Sequence, residues 1–486
     1  MSIDFTGLPD FLTSARADLR VCMKRPQNLL FSNKDLWHLI WPLITERFLS
    51  ITLGVADIVM VASLGESAVS GVSLVDTIFI LIQTIFGALA TGGAVVCSQF
   101  IGQKRADKAS RTAVQLLYVM IIGAVIIMIF GLFLNKALLS ILFGNVETSV
   151  MDNARTYFTF MLIGLPSIAI YNGCSAIFRA QGNSKVSMFT SILVNIINIS
   201  GNAIMLFGLK SGVEGVAIPT FIARTIAAAI LFSLLYKSKP GFKINAPVQE
   251  EVNKLDQISI REIGKVRFEG YLIKKILHIG IPTGLESSVF HIGKILVITL
   301  VASFGTGALA ANAAANTISA FEVLPASSIG LALLTVVGQC MGAGRTDQAV
   351  YYTKKLMILA YISMAALNIP LLICAKQLIG LYGMSPETTY LGWKMLMCHG
   401  LMGILFWPAA FTLPNALRAA NDVKFTMTVS FVSMWTVRIG MSYLLANTFG
   451  LGAFGPWVAM SMDWISRSVA FILRFLRGKW KTKRLI

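Results

Sequence analysis

The chain has 486 residues, of which 56% are hydrophobic and only 13% charged, and its mean hydropathy is +0.73. A soluble fold cannot cover that much apolar surface with so few polar side chains, so most of the chain must meet lipid. The net charge of +18 would suggest nucleic acid in a soluble protein, but here Lys and Arg sit in short segments between apolar runs and at both termini, where a membrane protein holds its cytoplasmic side; that pattern argues against a nucleic-acid partner.

In chain order, residues 1–35 read as a polar, mixed-charge cytoplasmic tail, with no signal peptide ahead of the first apolar run. Apolar stretches of about twenty residues then recur twelve times, at 36–63, 72–101, 112–134, 153–178, 186–208, 213–236, 272–303, 309–340, 353–375, 389–417, 425–448 and 453–476. Residues 237–271 carry seven basic and five acidic side chains and read as a cytoplasmic linker; 477–486 form a basic tail. The expected fold is an all-α polytopic membrane protein, with six-helix bundles over 36–236 and 272–476.

The connections QKRADKASR, RAQGNSK, GRTDQAVYYTKK and RAANDVK, and the tail RFLRGKWKTKR, are all net positive, whereas GLKSGVEG and NTFGLGAFG are nearly neutral. The positive-inside rule places both termini in the cytoplasm, and the alternation holds through all twelve spans. The cysteines, Cys22, Cys97, Cys174, Cys340, Cys374 and Cys398, are scattered singly, without metal-ligand spacing, and read as small apolar fillers. His38, His278, His291 and His399 likewise show no ligand spacing and read as interfacial or packing residues.

Self-comparison reveals a repeat. A shift of 240 places Pro42 on Pro282, Glu46 on Glu286, Gly65 on Gly305, Gln99 on Gln339, Gly102 on Gly342, Arg105 on Arg345 and Asp107 on Asp347; a shift of 239 places Arg179-Ala180 on Arg418-Ala419. Apolar composition cannot produce that series of polar and helix-breaking residues in one register. Because each half has six spans, both start on the same side, related by a pseudo-two-fold axis along the membrane normal with a central cavity between them.

The stretch PLITERFLSITLGVADIVMVASLGESAVSGVSLVD from Pro42 is similar to the first-span signature of multidrug and toxic compound extrusion (MATE) transporters of the bacterial type. GGAVVCSQFIGQKRADKA from Gly92 and VVGQCMGAGRTDQA from Val336 resemble that family's Gln-x-x-Gly segments, FRAQGNSK from Phe178 and LRAANDVK from Leu417 its Arg-Ala turns, and NIINISGNAIMLFGLKSGVEGVAI from Asn195 its fifth-span Asn pattern. The resemblance covers about residues 36–470. It implies export of organic, often cationic or amphipathic, compounds in exchange for H+ or Na+, by a multi-pass plasma-membrane protein that works as a monomer, needs no cofactor and is not an enzyme.

Charges within hydrocarbon cost about 2.5–3.5 kcal/mol each on insertion scales, so each is a candidate for function. Glu46 and Asp57 share a helix face about 16 Å apart. The resemblance makes Asp57 the candidate proton or cation site; a hydrogen bond anchoring the helix is the alternative. Asn198 and Asn202, one turn apart, would orient it or act as interhelical glue. Many proton-coupled relatives carry Asp at the position of Asn202, and Asn cannot titrate. Glu286 is a second candidate for ion coupling, and Lys294, in an apolar helix, needs a partner: Glu286 or, across the cavity, Asp57. Glu46, Asp76, Asn195, Asn316 and Glu322 are candidates for the substrate cavity, or polar interhelical contacts. Arg438 and Asp463 would neutralise each other, and Pro166, Pro408 and Pro414 would loosen their helices.

There is no GxxxxGK[ST] phosphate loop, so an ion gradient is the expected drive. One charge descending 100 mV supplies about 2.3 kcal/mol, a gradient of roughly fortyfold in a neutral solute. A lipid-linked oligosaccharide flippase of the same superfamily is the nearest alternative, but its cavity should be strongly cationic, whereas the intramembrane charges here read as mixed and mostly acidic. A membrane-embedded transferase would need clustered acidic metal ligands, which the sequence lacks.

Overall fold

The computed structural model describes residues 26–144, 146–238, 258–483 and 485, and among them the chain is built of helices and short connections. The first six spans are Asn33–Ala62, Glu66–Gly102, Ala106–Phe143, the bent pair Thr148–Ile163 and Leu165–Ala180, Ser184–Gly208 and Glu214–Lys237. The second six are Gly270–Ala302, the pair Thr306–Glu322 and Leu324–Gly342, Thr346–Ile373, Pro386–Ala419, Val423–Thr448 and Gly455–Leu476. They are called spans 1 to 12. Among the described residues, nine helices qualify as membrane spans by length and apolarity alone, and the bent pair of span 4 makes ten. Spans 1 and 12 complete the twelve; each carries charges within its apolar run, Glu46, Arg47 and Asp57 in the first, Asp463 and Arg467 in the last. Cys22 and most of the tail and linker lie outside the described residues.

Most helices run a few residues past the apolar stretch that announces them. Span 9 begins at Thr346, seven residues before the hydrophobic run, because Asp347 in its first turn favours the positive helix end and helix continues through the polar YYTKK. Span 3 similarly continues to Phe143. The prolines act where expected. Pro166 opens the second half of span 4 after a 48° bend, and Pro408 starts a π-helical turn, Pro408–Thr412. Span 11 carries two further π-helical stretches, Ser433–Gly440 and Leu444–Thr448, that no proline or glycine pair announces.

The halves repeat each other in packing as well as sequence. Span 1 lies on span 5 as span 7 lies on span 11, span 5 on 6 as 11 on 12, and spans 2, 3 and 4 pack mutually as do 8, 9 and 10. Their turns match too: Gly65 and Gly305, at repeat positions, take φ of 96° and 100°, a left-handed region open to Gly at no steric cost. Cys97, Cys174 and Cys340 are buried fillers as expected, but Cys374 is exposed; none of the described cysteines is in a disulfide.

Between the halves, span 2 packs on spans 7 and 8, and span 1 on span 8. The closest approaches gather towards the end of the bundle that carries the termini and the basic turns, called here the basic face. A Cβ on Gly92 would meet the Ile276 backbone oxygen at 2.5 Å, and one on Gly280 the Leu89 Cα at 3.2 Å. Small residues let the helix backbones approach where no water-driven force draws them together. Further from that face, the described cross-half contacts give way above Phe48–Phe321, whose rings lie 6.1 Å apart. Residues beyond, such as Val55, Ile58, Ile295 and Ile298, are exposed. The two bundles thus meet at the basic face and part towards the other.

Candidate functional site

The seam at the basic face is built reciprocally from the repeated motifs. A Cβ on Gly102 would lie 2.1 Å from the Gln339 carbonyl oxygen, and one on Gly342 would lie 2.0 Å from that of Gln99. The side chain of Gln99 donates from Nε2 to the carbonyl of Ala419 at 2.7 Å, and Gln339 donates to that of Ala180 at 2.8 Å. Each Gln of a Gln-x-x-Gly segment therefore ties down the Arg-Ala turn of the opposite half. Within each half the same turn supplies an ion pair: Arg179 reaches Glu46 at 3.4 Å and Arg418 reaches Glu286 at 2.6 Å. Ser430 also donates to Glu286, at 2.6 Å.

In the N-terminal half, Asp57 ends a ladder of buried amides. Asn202 donates from Nδ2 to Asp57 Oδ1 at 2.8 Å and to Asn198 Oδ1 at 3.1 Å; Asn198 donates to Thr220 Oγ1 at 2.7 Å, and Thr220 donates to the Val216 carbonyl at 2.8 Å. Asn198 and Asn202 are almost wholly buried, so the ladder fixes which way each amide points. It leaves Asn202 Oδ1 buried and without a partner beside the carboxylate. A buried acceptor left open is costly, and a proton donor or a cation at Asp57 would satisfy it. Arg224 of span 6 is the electrostatic neighbour of both Asp57 and Asp76, and Tyr157 of span 4 approaches Asp76. Thr220→Val removes the acceptor for Asn198. It is expected to lower stability by about 1 kcal/mol, the scale of an interhelical hydrogen bond in a membrane, as read from thermal unfolding in detergent. A wild-type melting curve would contradict the ladder.

In the C-terminal half the charges have another arrangement. Asp463, fully buried, accepts from Arg467 Nε at 2.9 Å and from the hydroxyl of Ser433, while Arg438 stands off at 3.9 Å. The expected Arg438–Asp463 neutralisation is therefore only partial, since Arg467 holds the carboxylate. Phe290 lies 5.7 Å from the Arg438 guanidinium and 6.0 Å from that of Arg467, and Phe411 lies 5.3 Å from Arg467, distances suited to cation–π attraction.

Several expectations are corrected. Lys294 does not pair with Glu286, which Arg418 and Ser430 hold, nor with Asp57, which Asn202 and Arg224 attend; its charged neighbours are His291 and Arg438. Glu322 does not face a cavity. It is fully buried, bonded to Nδ1 of His399, and screened by Trp457 and Trp464, whose rings lie 5.8 and 4.9 Å from the imidazole. The break between Glu322 and Leu324 turns it into the bundle, so His399 has a partner rather than a packing role alone. Glu46 belongs to the seam. Asn195 donates back to Ser191 of its own helix and Asn316 to Asn312, while Asp76 joins Asp57 around Arg224. Arg224, Tyr157 and Arg467 were missed; the signal for the arginines was present, as both interrupt otherwise apolar spans. Among the described residues no group of three or more acids, histidines and cysteines could hold a metal ion.

The comparisons with known proteins agree with this plan. The MatE family model matches twice, over residues 42–204 and 282–444, in the register of the repeat. A probable multidrug resistance protein NorM of Thermotoga maritima is 26% identical, over 93% of this chain and 94% of its own. An uncharacterized transporter, YisQ, of Bacillus subtilis is 28% identical, over 95% and 97%. Among solved structures, an outward-facing multidrug resistance MATE family transporter of the MOP superfamily superposes with a TM-score of 0.82 at 18% identity, over 93% of this chain and 97% of its own. With a duplicated twelve-helix body, a seam made from both copies of the family's motifs and a family model that covers more than half its length, this chain belongs to the MatE family, the MATE multidrug efflux transporters.

Proposed function

We propose that the protein is a secondary active exporter that exchanges amphipathic organic compounds for H+ or Na+ by alternating access, acting as a monomer in the plasma membrane with both termini in the cytoplasm. The observation that carries this reading is the coexistence of a sealed seam at the basic face with a carboxylate, Asp57, poised on an amide ladder beside the parting of the halves. The basic turns orient the sealed face towards the cytoplasm, so the cleft opens outward. From that side Asp57 takes up a proton or cation, and Asn202 Oδ1 gains the partner it lacks. Loading Asp57 removes its charge from the pull of Arg224, which favours rearrangement of spans 1, 5 and 6 and closure of the outer cleft. The sequence carries no GxxxxGK[ST] phosphate loop, and Asp57 gives the gradient a place to act.

The test is efflux of a fluorescent organic compound from proteoliposomes under an imposed pH or Na+ gradient. Efflux that follows one gradient and disappears when it is dissipated is expected. Indifference to both removes the antiport reading.

A further inference from the structure

Among the described residues, the cations at the core of the C-terminal half outnumber the acids close enough to neutralise them. Arg438 and Arg467 share a single carboxylate, Asp463, and Arg467 has the close contact with it; half-buried Lys294 neighbours Arg438. The other acid nearby, Glu286, is held by Arg418. Arg438 is only 8% exposed, and its Nε is buried without a partner. Lys294 and Arg438, two like charges, are neighbours with no acid contacting Lys294 among the described residues. A cation held out of water with no close counter-charge of its own is strongly disfavoured, so Arg438 and its neighbour Lys294 call for an anion from outside the chain.

Span 7 shows where that anion would arrive. Taking 100° per residue, Gly280, Gly284, His291, Lys294 and Ile298 fall within about 40° of one line along the helix. At Gly280 and Gly284 that line packs on Leu89 and Ala88 of span 2; further along, where the halves part, the same line is uncovered, and Ile298 is 37% exposed. Lys294 thus stands at the wall of the cleft, with Arg438 behind it and Phe290 alongside.

We propose that Lys294 and Arg438 bind the negative group of the substrate, and that the exported compounds are amphipathic organic anions or zwitterions whose carboxylate, sulfonate or phosphate lies between these two cations with its apolar body along Ile295 and Ile298. This corrects the expectation of mostly acidic intramembrane charge: acids prevail around Asp57, cations around Lys294. It also moves the substrate away from the cationic class that the resemblance implied. The proposal deepens the efflux reading and rests on it for transport, though not for binding.

The experiment is therefore equilibrium binding to the purified full chain in detergent, with no gradient present, using three probes that share one fluorophore: dansylglycine, its neutral methyl ester and a dansyl quaternary ammonium. The wild type is expected to prefer dansylglycine. Lys294→Met should weaken dansylglycine about tenfold or more, the loss of one charge-assisted contact, and leave the ester unchanged, while Lys294→Arg should retain the preference. Arg438→Gln, checked for folding by its melting curve, should act in the same direction. Equal affinity for all three probes, preference for the cation, or equal weakening of acid and ester in Lys294→Met would overturn the proposal. A lipid phosphate would satisfy the same chemistry. Competition by phosphatidylglycerol but not phosphatidylcholine, lost in Lys294→Met, would uphold the anion site and identify lipid as an occupant; competition by neither leaves the soluble anion as its ligand. Failure of gradient-driven efflux with charge-selective binding intact would count against the transport reading alone.

Discussion

Proteoliposomes carrying Asp57→Asn are expected to show gradient-driven efflux reduced about tenfold or more, to the rate of protein-free vesicles, with the protein still folded. The amide keeps one oxygen to accept the Asn202 hydrogen bond and nearly the same volume, so the ladder through Asn198 and Thr220 loses little. What it loses is the capacity to change charge. Arg224 then keeps Asp76 as an acidic neighbour but loses Asp57, and no proton or cation can switch the attraction between spans 1 and 6. Substrate binding without a gradient should persist, which separates coupling from recognition. Glu286→Gln is the contrast. Its carboxylate sits in an ion pair with Arg418, so its loss should lower thermal stability more than it alters the dependence on the gradient. Normal accumulation ratios with Asp57→Asn would remove Asp57 from coupling.

Gly342→Ala is expected to force the basic face open. The added Cβ would stand 2.0 Å from the Gln99 carbonyl oxygen and 2.6 Å from its carbon. Both belong to backbone, so no side chain can swing aside, and the helices must separate by about 1 Å or more to reach ordinary contact. Overpacking of this kind costs about 1–3 kcal/mol, and each 1.4 kcal/mol is a tenfold change in an equilibrium. The conformation with a closed basic face should lose roughly ten- to a hundredfold in population against one in which spans 2 and 8 have parted. Spin labels at the exposed positions Lys104 and Asp347 would report it by pulsed distance measurement: a longer distance in Gly342→Ala than in wild type. An unchanged distance with unchanged transport would mean that the crossing is no gate.

The number of spans, their approximate limits and the two-fold plan were legible because hydropathy and residue spacing are properties of single helices. The partners were not. Glu46, Arg179, Glu286 and Arg418 were all visible as repeat-mates, yet nothing along the chain says that the turn after span 4 swings under span 1, so the two equivalent ion pairs emerge only from the packing. Lys294 stands out along the chain through the cost of a bare charge in lipid, but its neighbour is the cation Arg438 rather than an acid, which depends on how spans 7 and 11 pack and not on the sequence of either. The Asp57–Asn202 contact is one of the two roles expected of the span-five amides, because polar side chains in otherwise apolar spans of one half must find each other. The π-helical stretches of span 11 had no signal, as they arise from how side chains seat between neighbouring helices.

The seam has a further implication. Gly102 against Gln339, and Gly342 against Gln99, are the same contact made twice, each half giving what it receives. That is the form of an isologous interface, the one two identical subunits make across a rotation axis. A chain of half this length could close such a seam with a second copy of itself, and fusion of the copies would keep it while releasing everything above it from self-complementarity. One descendant then carries Asp57 where its sibling has Val297, and the other Lys294 where its sibling has Gly54: an inherited symmetric hinge bearing two unlike jaws.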